Sequence, residues 1–218
     1  RGGRDGRGAA ARRGGGRTCA PYDPAGRRLH ARGGFVRHHS GMSVRPSRPV
    51  ALVAYDPAWP ARFAALAARV RAAFAEPPGI PAQVEHVGST AVPGLAAKPV
   101  IDLDVVVAPA DVGRAVARLA TLGYAHKGDQ GIPGREAFRA PPGEAPHHLY
   151  VVTPHTPAYR DHVCFRDHLR AHPEDAAAYG ALKRALAARH ADDRDAYQAA
   201  KAAFVAALTA RARRAAGG

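Results

Sequence analysis

Two aspartates, Asp102 and Asp104, interrupt an otherwise apolar run from Val100 to Val107. In a strand, side chains at i and i+2 project from the same face, so the two carboxylates stand side by side while Ile101, Leu103 and Val105 face the other way. Neighbouring negative charges in apolar surroundings are costly unless a cation neutralises them or the pair lies at an open strand end. A hard divalent cation such as Mg2+ or Mn2+, bound through oxygen, meets the first condition; a Lys or Arg partner at the strand end meets the second. Asp102 and Asp104 are therefore candidate metal-binding and catalytic residues. Ahead of them, Gly88, Ser89 and Thr90 follow a predicted strand and offer a flexible backbone and two hydroxyls, a kit suited to a phosphate. Lys98, four residues before Asp102, serves either to neutralise the pair or to contact phosphates.

Further along, His162, Arg166 and Arg170 recur at four-residue steps and so share one face of a helix. Phe165, Leu169 and Val163 supply its buried side, which leaves Arg166 and Arg170 either as a solvated basic face or as residues edging a cleft that meets an anion. Asp167, Tyr179, Lys183, Tyr197 and Lys201 read as packing and surface positions.

The elements that must position these residues follow from periodicity and punctuation. Val50 to Ala54 reads as a short strand, and Asp56 before Pro57 as the cap of a helix running to about Phe74, closed by Pro77, Pro78 and Gly79. Strands are expected at Gln83 to Val87 and Val100 to Val107, with the Gly- and Pro-rich loop GSTAVPGLAAKP between them. A helix from about Ala110 to Leu122 precedes short strands near Tyr124 to His126, Glu136 to Arg139 and His148 to Val152. Three helices follow, about Pro157 to Ala171, Pro173 to His190 and Asp193 to Arg211. Strands first and a helical pack afterwards predict an α+β architecture.

With 218 residues, 46% apolar and 23% charged, the chain is long enough for an ordinary core and is neither fully disordered nor collagen-like. Its net charge of +14 is uneven: residues 1–41 hold ten Arg against two Asp and 11 of the 23 Gly. That segment alternates Arg and Gly without periodicity and is expected to be a disordered tail, with residues 42–218 forming one domain. The only methionine, Met42, stands where this composition stops. The tail is either a translated stretch ahead of a start at Met42, which composition favours, or an RGG-like arm for nucleic acid. Elsewhere no aromatic-basic stripe marks a nucleic-acid surface. No apolar stretch is long enough to cross a bilayer and none follows the basic start, so a cytoplasmic protein without a membrane partner is expected. Cys19 and Cys164 lack the spacing of a structural zinc site.

Ser89, a spacer, and then the Asp-x-Asp set resemble the signature of the DNA polymerase beta-like nucleotidyltransferases. VEHVGSTAVPGLAAKPVIDLDVVV, with YDPAWPARF before it and HHLYVV and FRDHLRAHPEDAAAYGALKRALA after it, resembles more closely the GrpB family. The resemblance implies a nucleotidyltransferase-like mixed β-sheet with flanking helices and a C-terminal helical pack. It also implies a nucleotide partner held by Gly88 and Ser89, and Mg2+ or Mn2+ on Asp102 and Asp104 for transfer of a nucleotidyl group. The superfamily's third acidic residue has no counterpart in HHLYVV, which offers His147 and His148. Glu85 and Glu136 are candidates to replace it, and His86, His147 and His148 are candidate imidazole ligands; His148 and Glu85 complete the expected metal set. Without the third carboxylate, a nucleotide-sensing or partner-binding module stands as the alternative to an enzyme.

Overall fold

An apolar run with polar residues only at every second position is stable when one of its faces is buried against helices and the other meets a polar surface, and the sheet at the centre of this molecule is built that way. The computed structural model describes residues 50–216; the Arg/Gly tail and Met42 lie outside the described residues. In chain order the elements are α1 (Trp59–Ala75), β1 (Ala82–Val87), β2 (Ile101–Val107), α2 (Val112–Thr121), β3 (Ala125–His126), β4 (Arg135–Arg139), β5 (His147–Val152), α3 (Pro157–Ala171), α4 (Pro173–Arg189) and α5 (Arg194–Ala216). The strands form one mixed sheet in the order β1-β2-β5-β4-β3. Only β2 and β5 run parallel, and α2 with β3 and β4 supplies the long connection that a parallel pair needs. This is the expected α+β layout, a mixed sheet with flanking helices and a C-terminal helical pack.

One face of the sheet packs against α1 and α2. Trp59, Val70 and Phe74 of α1 and Leu119 of α2 meet Leu103, Val105, Leu149 and Val151 in the main core. The opposite face carries Asp102, Asp104 and Val106 of β2 and is covered by the C-terminal helices, whose own cluster joins Val92 and Leu95 to Leu169, Tyr179 and Leu208. Register places Val87, Asp102 and His148 in one row across three strands, and Glu85, Asp104 and Tyr150 in the next.

Two local expectations are corrected. Val50 to Ala54 does not form a strand; a single bridge joins Val53 to Ala97, the two residues exchanging both backbone hydrogen bonds. The first helix starts at Trp59, with Pro60 in its first turn, and not at Pro57. Asp56 closes a turn just ahead, its Oδ1 accepting from the Ala58 N–H at 2.8 Å. Among the described residues no helix is long and apolar enough to cross a membrane.

Leu103 lies at the centre of the sheet with no exposed surface. Leu103→Ala is expected to lower unfolding free energy by about 3 kcal/mol, combining lost transfer energy with an unfilled cavity, as read by denaturant titration. A loss below about 1 kcal/mol contradicts this packing.

Candidate functional site

Asp104 is completely buried, and burial pushes its carboxyl above the usual carboxylate range. One of its oxygens, Oδ2, accepts a 2.8 Å hydrogen bond from Nδ1 of His162 on α3. The other, Oδ1, is buried without a hydrogen-bond partner among the described residues. Asp102, partly exposed, repeats the arrangement: Oδ1 accepts from His148 Nδ1 at 2.8 Å. Each carboxylate thus has one oxygen fixed by an imidazole from a neighbouring element. Burial alone would lower His162, but its bond to Asp104 and the charges of Asp104 and Asp102 outweigh that and raise it. The Asp104 and His162 pair therefore holds a proton to higher pH than a free imidazole does.

Gly88 brings the turn onto Asp102. Its φ of 72° lies in the left-handed region, and a Cβ placed there would overlap Asp102 Oδ2. Only glycine meets both conditions. The chain then makes one 3₁₀ turn, Ser89–Ala91. Ser89 opens onto a cleft of about 730 Å³ that is also lined by Thr90, Lys98, Asp102, His148, Tyr150 and His162. An orphaned buried carboxylate oxygen beside a second carboxylate is a hard-oxygen donor set that fits Mg2+ or Mn2+. Among the described residues no third His, Cys, Asp or Glu completes a protein-only metal cage; phosphate oxygens and water would supply the remaining ligands of such an ion.

Other expected site residues are placed elsewhere. Glu85 stands next to Asp104 in register, but its Oε2 is bound by Arg166 Nη1 at 2.8 Å and its Oε1 by Gln83. Arg166 also donates to the His86 carbonyl and to Asp167, so burial among these acceptors turns it into a tie between α3 and β1. Arg170 donates to the Ala91 carbonyl and borders a separate groove with Leu95 and Arg184. Neither arginine lines the cleft. His86 pairs with Thr90 at 3.0 Å and stacks on Phe63; burial and nearby arginines bring its pKa down to about 4, so it is neutral. His147 bonds the Tyr124 hydroxyl and the Ala145 carbonyl. His86 and His147 lie in register with Leu103 and Ile101, on the face away from the aspartates. Glu136 is opposite Val151 on that same far face and binds His126. Of the three strand histidines, only His148 stands with the carboxylates.

Beside the expected Lys98, part of the cleft's basic lining comes from residues read as packing positions. Lys183 of α4 is 2% exposed and donates to Ser89 Oγ at 3.0 Å and to the Ala96 carbonyl. Burial, helped by Lys201 and Arg184, lowers its pKa to about 7. Tyr197 and Lys201 of α5 also line the cleft. The signal available in the sequence was a repeated Tyr-x3-Lys, Tyr179 with Lys183 and Tyr197 with Lys201, once in each of two successive helices. In both, the lysine ammonium lies over the ring of its own tyrosine, at 4.6 and 5.5 Å.

Two outcomes are expected from this geometry. Gly88→Ala displaces the turn from Asp102 and lowers the melting temperature by several degrees, whereas Gly94→Ala, also at positive φ but in open space, costs less. Equal losses contradict the close approach. For Lys183, the native state sheds a proton near pH 7 that the unfolded chain keeps until the ordinary lysine range, so stability gains with rising pH between the two. Denaturant titrations from pH 6.5 to 9.5 should show wild type gaining on Lys183→Met across that window; a constant difference contradicts the depressed ammonium.

The family profile described as GrpB protein matches residues 49–211. A UPF0157 protein of Pseudomonas aeruginosa is 45% identical over 161 residues, 72% of this chain and 65% of that protein. Another, of Bacillus subtilis, is 36% identical over 159 residues, 72% of this chain and 46% of its own length. The chain thus spans about half to two thirds of the length of these two relatives. The crystal structure of the conserved protein GrpB from Enterococcus faecalis superimposes with a TM-score of 0.67 at 33% identity, covering 76% of this chain and 98% of that one.

Proposed function

The chain belongs to the GrpB family, and from that premise we propose that its cleft binds a nucleoside polyphosphate together with a divalent cation and supports transfer of the nucleotidyl group to an acceptor hydroxyl. The observation that carries this reading is Asp104 Oδ1, buried without a hydrogen-bond partner among the described residues and beside Asp102, onto which the Gly88 turn is pressed. An unpaired buried carboxylate oxygen costs free energy in the empty fold, and a cation removes that cost.

Asp102 and Asp104 would hold the cation, which would supply Lewis-acid withdrawal of charge from the reacting phosphate. The rest of the chemistry belongs to the chain's own groups. His148 and His162 fix one oxygen of each carboxylate and so orient the other. The Ser89 hydroxyl and the backbone N–H groups of its turn receive phosphate oxygens. Lys183, already on Ser89 Oγ, brings a donor to the same place, and a phosphate anion would favour its charged form. In the transfer, the acceptor hydroxyl oxygen would bond to the α-phosphorus as the bond to pyrophosphate breaks, its proton passing to water.

A second reading rests on His148. It occupies the strand position beside Asp102 where the superfamily resemblance leads one to expect a further carboxylate. A domain with only two acidic ligands fits a module that binds nucleotide and reports on it without turnover.

Phosphates and two carboxylates repel unless a cation lies between them. Calorimetric titration of a nucleotide panel with Mg2+ or Mn2+ should therefore show binding that chelator weakens by at least about a hundredfold. Asp102→Ala should abolish it more completely than Ser89→Ala, which removes one hydroxyl and leaves the backbone donors. Equally tight binding in excess chelator, or none with any nucleotide and metal, contradicts the proposal. Bound nucleotide with release of pyrophosphate favours the transferase; bound nucleotide without turnover across acceptor classes favours the sensing module.

A further inference from the structure

Deep in the cleft, Lys183 attends the Ser89 turn. A separate group of cations sits on α5 and on the loop leading into β2. The Tyr197 ring is 1% exposed and carries the Lys98 ammonium at 4.6 Å from its centroid and the Lys201 ammonium at 5.5 Å. Arg194, three residues before Tyr197, lines the same cleft. These three cations are close enough to act on one another. Burial and Arg194 hold Lys98 below its ordinary value; burial, then Lys98 and also Arg194, do the same to Lys201, against the opposing pull of Asp102. Among the described residues none of the three is ion-paired with a carboxylate, whereas Arg166, Arg211 and Arg213 of the same helical pack each are.

Like charges brought together at a partly buried site destabilise the empty fold, and a cleft lined by one sign of charge draws in the opposite sign. The aromatic ring offsets part of the cost by holding ammonium groups over its face. Lysine ammoniums are compact point charges that suit the spread charge of a phosphoryl group. Lys98, Arg194 and Lys201 thus gather around one ring, apart from the Ser89 turn on which Lys183 of α4 acts.

We propose that Lys98, Arg194 and Lys201, gathered around Tyr197, form a second anion subsite of the cleft that takes a phosphoryl group. This rests on the nucleotide reading only for its biological source, because the subsite needs no divalent cation. The group comes either from the far phosphates of the donor nucleotide or from a phosphorylated acceptor.

The test uses the full chain and inorganic tripolyphosphate as probe, titrated calorimetrically at low salt in excess chelator. Wild type is expected to bind it. Lys201→Met and Arg194→Met should each weaken binding by at least about tenfold, the loss of one charge-assisted contact. Asp102→Asn should leave it unchanged or tighten it. Tyr197→Phe, which keeps the ring, should behave as wild type. The subsite is overturned if wild type fails to bind at millimolar probe, or if Lys201→Met binds as wild type does; circular dichroism melts establish that each variant is folded.

Loss of metal-dependent nucleotide binding with tripolyphosphate binding retained overturns the nucleotide reading and leaves the subsite standing. The reverse result removes the subsite alone. Competition separates the two sources: displacement of tripolyphosphate by a nucleoside triphosphate with Mg2+, but not by the monophosphate, assigns the subsite to the donor. Simultaneous binding of both assigns it to a phosphorylated acceptor.

Discussion

A fully buried carboxylate on an interior strand is costly, and much of the surrounding structure answers to it. Asp104 has no exposed surface, and among the described residues only one of its oxygens is hydrogen-bonded. Leaving an ionised oxygen unsatisfied in the interior costs on the order of several kcal/mol, so such a residue persists where another interaction compensates. His162 from α3 supplies part of that compensation, and this ties the C-terminal helices to the strand that carries the acids. The remaining oxygen, beside Asp102, is where a hard cation would complete it.

The same constraint explains why the sheet has two unlike faces. Leu103 and Val105 bury one side of β2 against α1 and α2. The alternate residues face a helical pack that brings imidazoles, lysines and tyrosines instead of a second all-apolar layer. Arg166 closes one edge of that layer by binding Glu85 and the His86 carbonyl, and Lys183 closes another by binding Ser89 and Ala96. These long-range ties seat α3 and α4 on the Gly-Ser turn. Stability and site geometry are therefore carried by the same side chains.

The strand-borne half of the site was legible in the sequence. Period-two alternation placed Asp102 and Asp104 on one face, and Gly88 with Ser89 after a strand marked a turn suited to phosphate. The helix-borne half was much less so. Arg166 has the spacing of a cleft-edge residue, yet its partner Glu85 lies 81 positions earlier, a pairing no local pattern can reveal. On α4 and α5, alanine spreads around the whole helix and no single apolar stripe shows which side faces inward, so Lys183, Tyr197 and Lys201 read as packing positions. The first helix and the Val50 segment differ for a local reason. Asp56 and Pro57 make a turn before the helix instead of its cap, and an apolar run forms a strand only where a partner continues the ladder.

On the proposed reading, Asp102 and Asp104 would hold a divalent cation jointly with nucleotide phosphates. Electron paramagnetic resonance of Mn2+ tests it most directly, because free Mn2+ gives a sharp spectrum that coordination broadens. With wild type and a nucleoside triphosphate, Mn2+ is expected to be bound far more tightly than by either component alone, and Asp104→Asn, checked to be folded, should return the spectrum to that of the Mn2+ nucleotide complex. Identical spectra for wild type and Asp104→Asn in the presence of nucleotide would contradict the account.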